Sequence, residues 1–541
     1  MASAPVPSQF RFRRLGPRQL QRLFLAAGLG LLLLLSSCIR IYSTDPPVEE
    51  APAEGQVEVE VPIRAHLVDG GAAVFRDGAR VGPERIEGSG WRYDLTRLDS
   101  AWISGITMDS VVGLESIPTS HLTGPATFLL SVGAAAVTAV GTVALLKALF
   151  GSCPTVYAAD GDTEVLEAEL FSYSIAPLLE GRDVDALGAR ASASGTVRLN
   201  VRNEALETHL VNHLQLLEVA HGPDERVLPD ERELPVAVAG LAPPAAARDR
   251  GGRDVAAELA AADGVAYETP MARLSEATMS DLEDGIELVF APVDAGRLGA
   301  GADTVALVLR LRNSLLNTVL FYDLMLAARG ADALTWLAGD LERIGPAVAL
   351  GQWWTSRMGL RVELPSDGGW KEVARVPDTG PIAWNELAVP LMPPAPGDSV
   401  RVRLRFVADA WRIDRAALAT SVRRPEVVRH TPARLLDADD RPQPDGAAAV
   451  ASPDERYLET RPGDRYAIEF DVGAEPEVGT RSFLLSSQGY YTEWIRPSWV
   501  RDAAGDPPEP GDALLREAMR RWAGHRTDFE REFFESRIPT R

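Results

Sequence analysis

The stretch VRVRLRF at residues 400–406 alternates apolar and charged residues without interruption. Successive side chains of a β-strand point to opposite faces, so this alternation predicts a strand with positions 400, 402, 404 and 406 against a core. The stretch VALVLRL at 305–311 has the same spacing. Helical patterns between 266 and 425 are limited to Ala331–Leu341, and we therefore predict a β-sandwich over residues 266–425.

Patterns typical of strands continue on both sides of this sandwich. Between 57 and 121, short apolar stretches end at Asp69-Gly70 and Asp77-Gly78, which are pairs that favour tight turns. Thr196–Val201 alternates, and we expect Thr208–Val219 to pair back onto it across a turn at Glu204–Glu207. The predicted fold class is mainly β, with multi-domain β-sandwich units, one hydrophobic helical segment and a C-terminal amphipathic helix.

Changes in composition suggest the domain organisation. The C-terminal helix follows Asp512, a residue that favours the N-cap, and a short helix is expected at Asp254–Ala261. The predicted segments are a signal peptide at 1–37, a tether at 38–56, a small β domain at 57–121, a hydrophobic helix at 122–150, a β-rich region at 151–240, a linker with the short helix at 241–265, the β-sandwich at 266–425, a linker at 426–455, a β segment at 456–511 and the C-terminal helix at 512–537.

The N-terminal residues have the composition of a targeting segment. Arginines without any acidic residue precede the apolar run Leu23–Leu35, and the run ends at Ser36-Ser37-Cys38. The phrase LSSC at 35–38 resembles the lipobox of bacterial lipoproteins. The resemblance implies that residues 1–37 are removed and that Cys38 carries acyl chains, each buried CH₂ adding about 0.8 kcal/mol of membrane affinity.

The same resemblance implies a location in the cell envelope. Because Ile39 and not Asp follows the cysteine, the sorting pattern of the family implies the outer membrane of a Gram-negative bacterium. Membrane lipid, through Cys38, is therefore the first expected partner. An uncleaved N-terminal anchor with an incidental cysteine is the alternative.

A second hydrophobic segment, Leu122–Leu146, contains no charged residue. As a helix it would be about 37 Å long, more than the roughly 30 Å of a bilayer core. Its small residues Ser131, Ala135 and Ala139 allow close approach of a second helix. The segment is therefore interpreted as a possible transmembrane helix, with a buried core helix or a helical hairpin as the alternative.

Charge and cysteine content exclude several classes of protein. The chain has 77 acidic against 55 basic residues and a net charge of −22, which repels phosphate backbones and argues against a nucleic-acid partner. Its 2 cysteines exclude a disulfide-stapled domain and a four-cysteine zinc module. If Cys38 is acylated, Cys153 is the one remaining thiol, and we interpret it as buried or close to the membrane and not as a nucleophile.

No sequence motif indicates a catalytic, cofactor or metal site, and we predict none of the three. GxSxG, Walker A, HExxH and a GxGxxG after a strand are absent from the sequence. His209 and His213 have a spacing that gathers a metal on a helix, but on the predicted strand they share a face about 13 Å apart. Asp160-Gly161-Asp162 lacks the ligand spacing of a calcium-binding hand and is interpreted as a turn.

Aromatic residues supply the candidate contacts with a ligand or partner. Six of the 11 tryptophans lie in the predicted sandwich. A platform for a glycan or a contact with a protein is one interpretation of these side chains, and packing in the core is the alternative. Trp353 and Trp354 are adjacent, so on a strand they cannot both face inward, and one of them is the best exposed candidate. Tyr490 and Tyr491 follow the same reasoning.

Two further resemblances concern organisation. The phrases SCPTVY at 152–157 and GYYTEW at 489–494 resemble those of an uncharacterised family of bacterial envelope lipoproteins with a hydrophobic segment before an SCPxxY phrase. That resemblance covers about residues 60–500 and implies no activity. Arg401–Phe406 with Trp411–Asp414 is similar to the closing strands of galactose-binding-like jelly-roll modules.

Together these observations predict a lipid-anchored envelope protein without enzymatic activity, in a binding or assembly role. Its expected partners are membrane lipid and other envelope proteins. The alternative is a surface protein that binds or processes carbohydrate with the central sandwich. A hydrolase is a third, weaker reading, because no nucleophile motif supports it.

Overall fold

The computed structural model describes residues 55–95, 99–117, 153–160, 163–292, 305–392, 395, 397–474, 480–503 and 509–540. This part of the chain is mainly β, as the alternating patterns predict, and the strand pairs of its six sheets are antiparallel. The predicted signal peptide with Cys38 and the hydrophobic segment 122–150 lie outside the described residues. Within the described ranges, no helix is long and apolar enough to cross a membrane.

The first sheet is built from residues 57–116. Its strands follow the order β1-β4-β5-β3-β2-β7, and β6 pairs with β5. Gly70 and Gly78 both have a φ of 81°, a left-handed conformation that favours glycine, so the predicted turns are confirmed. The strands are β1 Val57–Val59, β2 Ile63–Leu67, β3 Ala72–Phe75, β4 Ala79–Val81, β5 Arg85–Tyr93, β6 Ser100–Thr107 and β7 Val111–Ser116.

The remaining strands form five more sheets. Before the central sandwich they are β8 Thr155–Asp160, β9 Thr163–Glu169, β10 Gly181–Leu187, β11 Thr196–Arg202, β12 Glu207–His221, β13 Arg226–Pro229, β14 Pro235–Ala239 and β15 Ala246–Asp249. Next come β16 Glu283–Phe290, β17 Val305–Asn313, β18 Leu360–Ser366, β19 Gly369–Val376, β20 Asn385–Leu391, β21 Val400–Val407, β22 Trp411–Ala419 and β23 Ser421–Arg423. The last are β24 Val428–His430, β25 Arg434–Leu436, β26 Leu458–Thr460, β27 Arg465–Asp471 and β28 Thr480–Glu493.

Helices are more frequent in residues 266–425 than the sequence pattern predicts. Ala331–Leu341 is helical as expected, but the prediction of little other helix is wrong, because continuous apolar runs hide the helical period. The helices are α1 Met271–Met279, α2 Leu316–Thr318, which continues as the π-helix Val319–Leu326 and the 3₁₀ turn Ala327–Arg329, α3 Asp332–Thr335 with the π-helix Trp336–Asp340, α4 Ile344–Met358, α5 Pro444–Ala449, α6 Pro497–Asp502 and α7 Asp512–Glu535. Short 3₁₀ turns lie at Met108–Ser110 and Pro177–Leu179.

The central sandwich packs the sheet β15-β16-β21-β18-β19 against the sheet β20-β17-β22. Val400, Val402, Leu404 and Phe406 of β21 are buried, while the intervening arginines are partly or fully exposed. The predicted alternation is therefore confirmed. The apolar faces of both sheets belong to the main hydrophobic core.

A second sandwich packs the sheet β10-β28-β12-β24 against the sheet β25-β27-β11-β8-β9. β12 pairs with β28 from Glu207↔Glu493 to His221↔Thr480. The prediction that β12 pairs back onto β11 is wrong, since β11 pairs with β8 and β27. An alternating pattern does not show which strand will be its partner. β28 has 14 residues that can pair with the long β12, whereas β11 has 7.

Regions that the sequence analysis predicts as separate segments therefore contribute strands to the same sheets. The second sandwich combines strands from the predicted regions 151–240 and 456–511, and the predicted linker 426–455 contributes β24, β25 and α5. The predicted helix at Asp254–Ala261 is wrong: these residues form turns after β15. The central sandwich is thus an insertion between β12 and β28.

The helix α7 confirms the predicted amphipathic C-terminal element. Its apolar face packs into the main core, and Trp522 donates its indole N–H to Asp409 at 2.6 Å. Gly511 occupies the N-cap, so the assignment of Asp512 to that position is wrong. The carboxylate of Asp512 instead accepts a hydrogen bond from Arg357 Nε at 3.0 Å.

Replacement of Trp522 by alanine should lower the free energy of unfolding by about 3–5 kcal/mol, because it empties a fully buried indole site. Urea denaturation followed by circular dichroism measures this loss. Phe534→Ala on the same helix is the matched control, since that side chain is 43% exposed and its loss should cost under about 1 kcal/mol. Equal losses in the two variants would contradict this packing of α7.

Candidate functional site

A cavity of about 290 Å³ lies where the second sandwich meets the helices inserted into the central one. The second sandwich supplies Cys153, Tyr491 and the segment that follows β9. The insertion supplies α2 with its π-helix, α4, and the loop between β19 and β20. The lining residues are Cys153, Glu169, Ser172, Tyr173, Ile175, Leu179, Glu180, Gly181, Asn317, Thr318, Phe321, Tyr322, Met325, Leu350, Gly351, Trp354, Thr355, Asp378, Gly380, Pro381 and Tyr491.

The π-helix Val319–Leu326 forms the apolar wall. Phe321, Tyr322 and Met325 line the cavity, at the spacing that brings side chains to one side of a helix. All three are buried. The wide π-helical turn, a feature that is frequent at functional sites, holds this wall against the core.

The helix α4 forms the side of the cavity that reaches solvent. Leu350, Gly351, Trp354 and Thr355 line it, and Thr355 is exposed. Trp353 lies next to the cavity face and packs on the main core, with its ring centroid 6.1 Å from that of Trp354. The strand predicted for this tryptophan pair is therefore wrong: both side chains are half-buried on a helix, and of the two only Trp354 lines the cavity.

Asp378 organises the polar end of the cavity. Its Oδ2 accepts hydrogen bonds from the indole N–H of Trp354 at 3.1 Å and from the amide of Asn317, and its Oδ1 accepts the N–H of Gly380 at 3.0 Å. Burial raises the pKa of this carboxyl. Asp378 therefore fixes the orientation of Trp354 and Asn317 toward the cavity.

Asn317 leaves one acceptor unused. The residue is 7% exposed, and its Oδ1 is buried without a hydrogen-bond partner among the described residues. A buried acceptor without a partner costs roughly 1–3 kcal/mol.

Glu169 is held by the loop between β19 and β20. Its Oε2 accepts the backbone N–H groups of Ile382 at 2.8 Å and Ala383 at 3.3 Å. Gly380 has a φ of 80°, and a Cβ there would lie 2.4 Å from the Glu169 carboxyl carbon, so glycine is required at this position. The contacts of Glu169 therefore position the loop.

Cys153 is buried beside this carboxylate, as its sequence context predicts. Burial, together with the negative charges of Glu207 and Glu169, raises the pKa of the thiol well above its ordinary value. A thiol that stays protonated is a poor nucleophile. Cys153 therefore contributes a small apolar surface to the cavity.

The predicted contact residues Tyr490 and Tyr491 are both buried on β28. Tyr490 packs edge-on against Tyr457 at 5.6 Å. Tyr491 lines the cavity, and its hydroxyl donates to the Ser172 carbonyl at 3.3 Å. Trp354 and Tyr491 are thus the two predicted contact residues that the fold brings into one cavity.

The other tryptophans of the predicted platform have structural contacts. Trp411 is fully buried and donates to the Met358 carbonyl. The remaining three lie under arginine guanidinium groups at 4.5–5.5 Å: Trp336 with Arg329, Trp370 with Arg401 and Arg403, and Trp384 with Arg310 and Arg312.

A buried carboxyl pair, Glu207 and Glu493, lies behind Tyr322, whose hydroxyl is 3.4 Å from Glu207 Oε2. Burial raises the pKa of Glu207 to about 8 and that of Glu493 well above its ordinary value. His209 Nε2 lies 2.8 Å from Glu207 Oε1. The pair therefore retains a proton at neutral pH.

His209 and His213 do not share a face, contrary to the prediction. Asn212 forms a bulge in β12, so Val211 pairs with Gly489 while His213 pairs with Gln488, one position on. His209 is consequently buried and His213 points to the opposite side of the sheet. Of Asp160-Gly161-Asp162, Asp160 ends β8 and the other two lie outside the described residues. No cluster of His, Cys, Asp or Glu in the described ranges is arranged to hold a metal ion.

Sequence reasoning missed the inserted walls of the cavity, including Asn317, Tyr322 and Asp378. A polar Asn317-Thr318 pair at the head of a long apolar run was the one available signal. No protein-family model matches the chain, and no curated protein matches it either.

The carboxyl pair should make stability depend on pH. Between the ordinary glutamate pKa of 4.5 and about 8, the unfolded chain loses a proton that the folded protein keeps, so the free energy of unfolding falls as pH rises, by up to about 1.4 kcal/mol per pH unit. In Glu207→Gln this decline should be shallower. Urea denaturation at several pH values measures it, with the exposed Glu455→Gln as control; parallel curves for wild type and Glu207→Gln would show that Glu207 does not keep this proton.

Proposed function

We propose that this chain is a lipid-anchored binding protein of the bacterial cell envelope, without enzymatic activity, and that its cavity holds a small, mainly apolar ligand with a hydrogen-bond donor. A mainly apolar cavity whose polar end is lined by Asn317 and Asp378 is the observation that carries the proposal. The lipobox-like residues before Cys38 support the anchor, and Ile39 supports the outer membrane as its location.

The size and walls of the cavity suit a small ligand. A volume of about 290 Å³ is at the lower end of the range for small-molecule sites. Phe321, Met325 and Leu350 offer apolar contacts, and Trp354 adds an aromatic face at the solvent side. Such walls favour a compact apolar body.

The charges around the cavity favour a neutral or cationic ligand over an anionic one. Glu169, Glu180 and Asp378 line it, and the described lining residues include no lysine, arginine or histidine. An anion would enter against these carboxylates without a compensating positive charge. A ligand with a hydroxyl or amine group near Asn317 meets the site's chemistry best.

The thiol and the carboxylates that line the cavity argue against catalysis. Cys153 holds its proton, and the carboxylates of Asp378 and Glu169 are engaged in hydrogen bonds that fix the walls. Glu180 likewise accepts from Asn212 and Tyr457. A general base needs a lone pair directed at the substrate, and these side chains direct theirs at the protein.

Binding of carbohydrate is the second candidate. Trp354, Asn317 and Asp378 converge within the cavity, and an aromatic face beside polar side chains also suits a sugar ring. The predominantly apolar lining favours the first candidate.

A neutral fluorescent amine, N-phenyl-1-naphthylamine, should bind the purified protein with enhanced emission. Trp354→Ala should raise its Kd roughly 5- to 30-fold through the lost apolar contact. Trp353→Ala is the matched control, on the same helix and outside the cavity lining, and should leave the Kd unchanged. Equal effects of the two substitutions would contradict binding in this cavity, and retention of oligosaccharides in place of the dye would favour the second candidate.

Acylation should occur at Cys38. A Gram-negative host that expresses the full chain and is fed an alkyne fatty acid should label the protein, and the mature mass should lack residues 1–37. Cys38→Ala should abolish the label, while Cys153→Ala keeps it. Labelling that persists in Cys38→Ala, or an unprocessed wild-type chain, would overturn the lipid anchor.

A further inference from the structure

Trp91 and Trp102 form an exposed aromatic pair on the first sheet. They are register partners on β5 and β6, with ring centroids 5.6 Å apart and planes nearly perpendicular. Their exposed fractions are 42% and 60%. Among the described tryptophans, only these two are exposed, and both lie on one face of the sheet.

The strand that carries Trp102 is an edge without the usual protection. Among the described strands β6 pairs with β5 alone, and its sequence SAWISGIT contains no charged residue and no proline. Soluble proteins commonly protect such edges with charges, prolines or covering elements. An uncharged edge beside two exposed indoles therefore indicates a surface that is covered in the working protein.

This face continues to the point where the apolar segment leaves the fold. Val74 lies opposite Trp91 in the ladder, and Ile117 packs on Val74 and Tyr93. Ile117 is the last described residue before the uncharged Leu122–Leu146 segment. The chain between Ile117 and Leu122 spans at most about 18 Å, so the uncharged segment follows this face directly in the chain.

Residues before and after that segment pack together. Leu114 donates its N–H to the Ile495 carbonyl at 2.9 Å, and the ring of His66 stacks on Trp494 at 3.5 Å. Glu54–Arg541 accordingly form one compact unit. A single membrane crossing by residues 122–146 would separate these contacts, so a segment that enters a bilayer has to return to the side from which it came.

We propose that the sheet face with Trp91 and Trp102 lies on the surface of the bilayer. The inference rests on the proposed lipid anchor, which keeps the unit near the membrane because Cys38 and Val57 are at most roughly 65 Å of chain apart. Indole side chains prefer the headgroup level, where the ring is partly buried and its N–H meets water. The nearest arginine of β5, Arg92, points to the opposite face and pairs with Asp69.

Brominated lipids test this contact because bromine quenches only nearby indoles. The full chain, isolated from its host, is placed in nanodiscs of phosphatidylethanolamine and phosphatidylglycerol with or without brominated acyl chains. The tryptophan emission should be quenched by bromine, and Trp91→Phe and Trp102→Phe should each remove a large part of that quenching. Trp353→Phe, which changes a half-buried tryptophan on α4 and not on this sheet, should leave it unchanged.

Mass spectrometry of the same sample shows whether the chain is acylated. It therefore distinguishes a failure of the membrane face from a failure of the lipid anchor. An acylated chain whose quenching is unaffected by Trp91→Phe and Trp102→Phe overturns the membrane face while the anchor stands. Quenching that depends on the pair in a chain without acyl groups overturns the anchor while the face stands. If both indoles are protected from hydroxyl radicals even without lipid, a segment of the chain or a protein partner covers them, and the inference is wrong.

Discussion

The pairing of β12 with β28 is the constraint on which the rest of the fold depends. It joins Glu207–His221 to Thr480–Glu493, and the indole of Trp494 adds a hydrogen bond to Thr208, 286 positions earlier, at 2.9 Å. The central sandwich and the cavity helices, which lie between these two strands in the chain, are therefore an insertion into the second sandwich. Closing so long a loop costs entropy, but that cost grows only with the logarithm of loop length, whereas the ladder adds a cross-strand pair with every residue.

The ends of this ladder carry an unusual density of buried polar groups. Burial raises the pKa of Glu207 to about 8 there, and nearby Arg64 and His66 both contact the Glu115 carboxylate. Burial lowers the pKa of His66 to about 4, so the ring is neutral and stacks flat on Trp494. Such clusters add little stability compared with apolar packing, because desolvation offsets most of their attraction. Their directional hydrogen bonds instead fix how the first sheet, the second sandwich and the insertion meet.

The sequence was informative wherever a pattern is local and failed where partners are distant. Alternation identified β17 and β21, paired turn residues identified Gly70 and Gly78, and the aromatic spacing identified α7, because each property is set within a few residues. The partner of β12 is set by β28, which no local pattern reveals, so a hairpin with β11 was the wrong choice. Trp353 and Trp354 were assigned to a strand because a short apolar segment fits either period. Trp354 and Tyr491 were candidate contact residues because they are aromatic, but it is the insertion that brings them into one cavity. No sequence pattern pointed to Asp378.

The position of the cavity follows from the same topology. Its walls come from the host sandwich, through Cys153 and Tyr491, and from the insertion, through Tyr322 and Trp354. A ligand there contacts both parts, so its binding free energy adds to the stability of the junction, by an amount set by its concentration relative to Kd. An apolar ligand adds to the apolar contacts that already cross this junction, where Ile175, Leu179 and Ile495 belong to or pack on the main hydrophobic core. The proposed binding role therefore belongs to the cavity and not to Trp336, Trp370 and Trp384, whose rings lie under arginine guanidinium groups.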